Sequence, residues 1–541
     1  MDGVDRISEL PPFIVHLIMS YLSPKEVAQT SVLSKSWNQL WSSFPILDLD
    51  ESYFTGRPWN ERTISYVNQG KRKKKFLRNQ KKFINLVYAF LIRFYNSKLC
   101  IQKLRLYIHL LNVKKSSPLL DKWIELAIAN GVRELDLEIV SDINTKYALP
   151  PIMFSAIFLT TLIISGCKLE QCSVSISFHS LRELTLKKLC ISGKMLQKLT
   201  SECPVLEGLF IYDCRDLNYL CISKALKLKI VRVALAPGDF ERVKIIAPIL
   251  ERFSFSYNGR TTPFVVDMVG CPRLHKLMLS GAILKEQEFQ RFLSNFPLLE
   301  DLSLFSCEHV KDLTVSSTHL RNLELRGFAC KAIDIDIPNL LSFSYSSLNH
   351  FVHTAVINAP CAWNVSVGAR EVDMDTRWYL NLKQFLGELN QIEELSVNVL
   401  PSNKISFNLD EFRIMSTSFA PREVENLCLC VDTPPSNYPA LLNGVLSVCF
   451  SKTVSVRIQS EQDRSSEWLY DELRNRDVVS CCCCCSCSEM KCWRHYLKDV
   501  KIQSFSALYD KKGLVTLDAW PILPCGILQL QLDWSFPEII A

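Results

Sequence analysis

The 541-residue sequence contains no P-loop, no His-Glu-x-x-His pair and no Gly-x-Ser-x-Gly elbow. These are the compact signatures that would place a phosphate, a catalytic zinc or an activated serine on the chain, so an enzyme in its own right is not expected. The sequence also lacks an apolar run approaching the ~18 residues of a spanning helix. The longest such stretch, 440–450, is broken by Asn443 and Ser447. The opening MDGVDRISEL has neither the basic start nor the apolar centre of a secretory leader. The 22 cysteines are therefore expected in a reducing setting, nucleus and/or cytoplasm, mostly as small buried apolar side chains. No cofactor, metal or membrane partner is expected. Charge of one sign is scarce too: 62 Lys and Arg against 56 Asp and Glu leave only +6. Residues 71–82 alone hold eight basic residues and no acidic one, so the rest of the chain is slightly negative and offers no extended basic field for nucleic acid.

What remains is a chain that is 48% hydrophobic and 22% charged, a folded composition. It is too long for one ordinary core, which stops growing at roughly 250–300 residues, so several domains or a repeat array are expected. Residues 5–45 carry three short helical signals. Ile14, Leu17, Ile18, Tyr21 and Leu22 recur at helical spacing and predict one apolar face. Ser23, Pro24 and Glu26 predict a capping box, followed by an inner stripe of Val27, Thr30 and Leu33. Ser34 can cap a third helix carrying Trp37, Leu40 and Trp41. A unit this small is marginal unless it buries apolar surface against its own chain or a partner.

This segment, DRISELPPFIVHLIMSYLSPKEVAQTSVLSKSWNQLW followed by FPILDLD, resembles the F-box of the plant F-box/leucine-rich-repeat family. One departure is Pro12-Phe13, where the family usually has an acidic residue after Leu-Pro. The resemblance implies docking onto a Skp-family adaptor, and through it a cullin, with Leu10, Pro11, Ile14, Ile18, Leu22, Val27, Leu33 and Trp37 as anchors.

From residue 132 an apolar-x-x-apolar-x-apolar motif returns ten times (VRELDL, LTTLII, LRELTL, LEGLFI, LKIVRV, LERFSF, LHKLML, LEDLSL, LRNLEL, LLSFSY) at intervals of 20 to 27 residues, the period of leucine-rich repeats. Weaker echoes at 392–397 and 424–429 extend the array to about 431; residues 346–391 give no clear signal. The expected fold is thus α/β: a helical F-box (1–50), a basic linker and connecting helix (51–100), a leucine-rich-repeat solenoid with a curved parallel sheet and outer helices, such as 286–293 (101–431), and a C-terminal cap with a Cys-rich loop (432–541). Strand alternation sends the last two apolar residues of each motif inward and the intervening ones to a concave face. Phe210, Tyr212, Arg232, Met278, Phe305, Glu324 and Arg326 stand out there as candidates for holding a protein target, with Phe210 and Phe305 turning inward if the register slips by one.

Three features remain. Lys71, Arg72, Lys73, Lys74 and Lys75 read as a nuclear-import run or a solvated linker. Cys481 to Cys485, with Cys487, Cys492 and His495, have no pair of separated Cys-x-x-Cys units to close a zinc site, so an oxidation-sensitive loop is expected. Residues 492–502 resemble a C-terminal block of the same plant family and suit a strand capping the array, with Trp493, His495 and Tyr496 structural. The function implied is the substrate-recognition subunit of an SCF-type ubiquitin ligase. A small-molecule-sensing F-box receptor and a repeat scaffold outside ubiquitin ligases stay open.

Overall fold

The second and third N-terminal helices start where the sequence places their caps, at Ser23 and Ser34. The computed structural model describes residues 10–55, 70–141, 145–169, 175–236, 238–257, 264–284, 286–307, 312–328, 330–347, 354–369, 373–389, 391–400, 404–416, 421–431, 433–458, 465–474, 492–507 and 526–535. Helix α1 spans Pro12–Ser20, α2 Pro24–Thr30 and α3 Lys35–Ser42. Ser23 and Glu26 form the reciprocal capping box: the Ser23 N–H donates to Glu26 Oε2 at 2.8 Å, and the Glu26 N–H to Ser23 Oγ at 3.4 Å. Ser34 Oγ accepts the Trp37 N–H at 3.2 Å. Val15, Met19, Val27, Trp37 and Phe44 fill the core between the three helices.

The chain divides into two compact units, Met1–Lys276 and Leu277–Ala541. In the first, β1 (Ile46–Asp50) pairs in parallel with β2 (Lys103–Leu110), and β2 with β3 (Glu134–Ser141). Strands 161–165, 183–187, 208–212, 230–235 and 252–257 continue the parallel ladder. Register stacks Leu135, Leu162, Leu184, Leu209, Val231 and Phe253 in one row, and Leu137, Ile164, Leu186, Ile211, Val233 and Phe255 in the next. All twelve are at most 2% exposed. Each buried Leu, Ile or Phe contributes ~1.5–3 kcal/mol relative to exposure, so these rows set the register.

The ladder begins earlier than the motif at 132 predicts. Leu47 and Leu49 of β1, and Leu104 and Leu106 of β2, have the same inward alternation. Between them the chain inserts α4 (Ser52–Thr55) and the 27-residue helix α5 (Gly70–Asn96), which break the period. Boundaries at 50 and 100 therefore fall between two strands that pair.

Three successive inner strands of the first unit, 161–165, 183–187 and 208–212, end in a left-handed residue. Gly166, Lys188 and Asp213 have φ of 75°, 50° and 51°, and their N–H groups donate to Lys187, Tyr212 and Ala234 carbonyls at 3.0, 2.8 and 2.7 Å. At Gly166 a Cβ would lie 2.0 Å from the Ile139 carbonyl oxygen, so glycine is required there.

Repeat length goes with the outer element in most repeats, the 27-residue interval after VRELDL being an exception that holds the two-residue strand 147–148 and a 3₁₀ turn at 151–155. The 25-residue interval between LRELTL and LEGLFI holds a helix, Gly193–Ser201, and that between LHKLML and LEDLSL holds Glu286–Ser294. Repeats of 20 to 24 residues instead return through short strands: 219–222, 242–246 and 265–270 in the first unit, and 312–316, 332–336 and 354–358 in the second. A strand advances about 3.3 Å per residue against 1.5 Å for a helix, so fewer residues cover the same return path. The outer helix expected at 286–293 is present, and short strands stand in the outer position where the repeats are short.

In the second unit, strands 301–305, 322–326, 342–347, 363–368, 392–399, 422–431 and 449–458 pair in parallel. The stretch 346–391, unclear in the sequence, supplies inner strand Trp363–Gly368 and helix Thr376–Gly387. The ladder also runs past residue 431 to Ile458, where Gly526–Trp534 adds antiparallel and Leu497–Ala507 pairs with it in turn. The cap thus covers the last parallel strand. Trp493, 3% exposed, donates from Nε1 to Asn443 Oδ1 at 2.8 Å.

Candidate docking surfaces

The helical unit exposes much of its apolar surface. Phe13, Leu17, Ile18 and Tyr21 of α1 and its C-cap are 69%, 53%, 40% and 84% exposed, and Val32 and Leu33, between α2 and α3, 83% and 66%. The helix α1 buries the other side, Val15 and Met19, and is tied to α3 by His16 Nε2 and the Leu40 carbonyl at 3.0 Å. The stripe of Leu17, Ile18 and Tyr21 read from spacing therefore faces out. Three expectations change accordingly. Val27 and Trp37, expected as docking anchors, are each 7% exposed and belong to the unit's own core. Leu33, expected on the inner stripe of α2, faces solvent. Leu10 (36% exposed), Pro11 and Ile18 remain accessible, while Ile14 and Leu22 are half-buried, Leu22 against the core.

The unit is fixed to α5 by stacking. Trp41 meets Phe90 edge-on at 5.6 Å, and the Arg93 guanidinium lies 5.5 Å from the Trp41 ring and 4.7 Å from the Phe90 ring. Burial pulls the Arg93 pKa down.

The inner strands present the second surface in two parts, one on each unit. On the first, Phe210 and Tyr212 are half-buried and Arg232 is exposed, alternating with buried Leu209, Ile211, Val231 and Val233. Phe210 pairs with Arg232 in register, and its ring lies over Gly208, where a Cβ would sit 2.9 Å from Cε2. On the second unit, Met278, Phe305 and Glu324 are half-buried and Arg326 is exposed. The Arg326 guanidinium lies 5.6 Å from the Phe305 ring and pairs with Glu324, whose other oxygen accepts from Ser303 Oγ at 3.0 Å. Phe210 and Phe305 thus face out rather than into the core.

Of the basic run, the backbone opens α5 and Lys74 and Lys75 are exposed; the side chains of Lys71, Arg72 and Lys73 lie outside the described residues. A helix stands where a linker was expected. Cys481 to Cys485 and Cys487 also lie outside them. Cys492 Sγ lies 3.3 Å from His495 Nδ1.

Comparison with known families matches residues 7–49 to the F-box domain, 120–261 to the leucine-rich repeats of FBD-associated F-box protein At5g56370, and 261–359 to the leucine-rich-repeat domain of At1g61320/AtMIF1. The chain belongs to the plant F-box/leucine-rich-repeat family. Relatives in Arabidopsis thaliana include F-box/FBD/LRR-repeat protein At1g78750, 30% identical over 43% of this chain and 47% of the relative. F-box/LRR-repeat protein At3g03360 is 27% identical over 60% and 62%, and F-box/FBD/LRR-repeat protein At1g13570 is 27% identical over 38% and 44%. The matched region thus spans about half the length of these relatives.

In this F-box/leucine-rich-repeat chain the sequence reading missed a charged group on the first strands. Arg105 Nη1 lies 3.3 Å from Asp48, Nη2 3.9 Å from Asp50 and Nε 3.8 Å from Asp136. Burial pushes the Asp48 and Asp136 carboxyls up, and Arg105 opposes it. The signal was present as ILDLD and KLRL, whose alternation matches the later repeats but whose spacing does not.

Proposed function

We propose that this chain is the substrate-recognition subunit of an SCF-type ubiquitin ligase: the F-box docks on a Skp-family adaptor, and through it a cullin, while the inner strands hold a protein target for ubiquitination. The observation that carries the reading is the outward apolar set Phe13, Leu17, Tyr21, Val32 and Leu33 on an F-box whose core is already filled by Val15, Met19, Val27 and Trp37. Such side chains in water favour a partner surface. The chain makes no bond itself in this reading; it raises the local concentration of target lysines beside a charged ubiquitin carrier. The run Lys71 to Lys75 is proposed as the signal that brings the complex to the nucleus.

The test is capture of a Skp-family adaptor by the full chain with paired substitutions on the outward set. Truncation at residue 100 is unsuited because it removes β1 from its pairing with β2. Adaptor capture lost in Leu17→Ala with Tyr21→Ala, in a chain that unfolds normally, supports the reading. Undiminished capture overturns it.

A further inference from the structure

In the second unit two thiols converge on the inner strand Arg422–Val431. Leu427, Leu429 and Val431 are buried, so alternation puts Cys428 and Cys430 together on the outward face, each half-buried. Same-face positions two residues apart on a strand are separated by ~6.7 Å. The two sulfurs are only 4.0 Å apart, so the side chains lean toward each other. Register sets Cys428 between Ser396 and Ser455, and Cys430 beside Asn398.

Geometry separates the uses of such a pair. A disulfide needs Cβ atoms ~3.5–4.5 Å apart. This strand pairs on both sides, with 392–399 and 449–458, and both ladders require the extended backbone that keeps those Cβ atoms farther apart. Attack on an electrophile needs a thiolate, and the hydrogen bond with Cys430, together with burial, pushes the Cys428 thiol up and keeps it neutral. A metal ion makes neither demand. Bonds of ~2.3 Å let two sulfurs on one ion stand as much as ~4.6 Å apart, and the ion displaces the thiol protons as it binds. Ligand number then selects the ion. Zinc is tetrahedral and calcium and magnesium take oxygens, whereas among the described residues no group of three His, Cys, Asp or Glu side chains could hold a metal. Two thiolates suit a soft monovalent ion that is content with two ligands, and copper(I) is such an ion. The hydroxyl of Ser396 hydrogen-bonds Cys428 and favours its thiolate, while Glu394, which opposes it, is exposed to solvent and so screened.

We propose that Cys428 and Cys430 form a two-coordinate copper(I) site on the inner strands of the second unit. Binding forms one bond from the ion to each sulfur and releases both thiol protons, with no change of oxidation state, so the cuprous bis-thiolate carries a single negative charge. Occupancy would place that charge in a row, Ser346, Ser366, Ser396, Cys428 and Ser455, whose side chains are otherwise uncharged. The inference rests on the thiol pair and not on the adaptor role.

The test uses the full chain with Cys481 to Cys485 and Cys487 changed to Ser, so that this Cys-rich run takes up no metal. Copper(I) is supplied without oxygen from an excess of bicinchoninate, whose absorbance reports the ion withdrawn. The chain should withdraw one ion more than the same chain carrying Cys428→Ser, or Cys430→Ser should the first fail to fold. Either substitution should weaken the site at least ~100-fold, more than the loss of a group that only supports a ligand. The difference in X-ray absorption between the two chains should show the edge feature of two-coordinate copper(I) with sulfur neighbours. Zinc supplied from a coloured chelator should be withdrawn equally by both. An unchanged copper count in a folded Cys428→Ser or Cys430→Ser chain, a three- or four-coordinate spectrum, or a loss of zinc uptake equal to that of copper would each overturn the proposal.

Discussion

The guanidinium of Arg326 lies over the ring of Phe305, 5.6 Å from its centroid, while its other side pairs with Glu324. An arginine held by a ring and a carboxylate loses less freedom on meeting a partner than one extended into water. Arg326→Ala should therefore reduce target capture at least tenfold. It should shift stability by no more than ~1 kcal/mol, the scale of an exposed cation–π contact. Tyr212→Ala, on the first unit, should behave in the same way. Target capture is read by comparing proteins copurified with each variant under proteasome inhibition, and stability by thermal unfolding. Normal capture by both variants would remove the inner strands from target recognition.

On the F-box, burial separates two classes of apolar residue that sequence spacing merges. Leu17→Ala, Tyr21→Ala and Leu33→Ala should weaken adaptor binding and leave the fold intact. Val27→Ala and Trp37→Ala should cost ~2–5 kcal/mol of stability, because each leaves a cavity among Val15, Met19 and Phe44. Near-ultraviolet circular dichroism and adaptor capture on the same samples tell the classes apart. The result that contradicts this division is a Trp37→Ala chain with unchanged unfolding and lost adaptor.

The repeat rows were legible because Leu, Ile, Val and Phe at alternating positions have one low-energy arrangement, as Leu135, Leu162 and Leu184 show. The limits of that logic appear where another residue type continues a row. Trp363 takes the position beside Phe343, 4.0 Å between ring centroids, in a strand with no leucine to announce it. Outward positions carry less information still. Leu17 and Val15 are equally apolar, and only the packing of α1 on α2 and α3 decides which is buried. The charged group around Arg105 escaped notice because β1 and β2 are separated by α5 and share no period with later repeats.

The basic run allows a test of compartment. Lys74 and Lys75 are exposed on α5, and glutamine is also a good helix former, so changing Lys71 to Lys75 and Arg72 among them to Gln removes charge without breaking the helix. A fluorescent fusion should move from nucleus to cytoplasm. An unchanged distribution would leave the run as a solvated helix face.

The buried cysteines predict how the protein fails in alkali. Burial pushes the thiols of Cys203, Cys214, Cys307 and Cys449 up to about 12 and that of Cys271 up to about 11. Cys214 and Cys307 also sit just after left-handed residues at strand ends, with sulfur 3.6 Å from the Leu186 carbonyl oxygen and 4.0 Å from that of Leu279. In the unfolded chain a thiol ionises near 8.5, so between about 9 and 12 the unfolded state has lost protons that the folded state retains. Stability is then complete below about pH 8.5 and falls as pH rises, by about 1.4 kcal/mol per pH unit for each such thiol, until the folded thiol itself ionises. Urea midpoints measured at pH 8, 9 and 10 should drop progressively. A Cys214→Ala, Cys307→Ala chain, though less stable at pH 8, should lose less on going to pH 10. At pH 8 iodoacetamide should label exposed Cys100 in the native protein and spare all five buried thiols. Parallel pH slopes in the two chains, or rapid native labelling of Cys214, would show that these sulfurs do not carry the alkaline sensitivity.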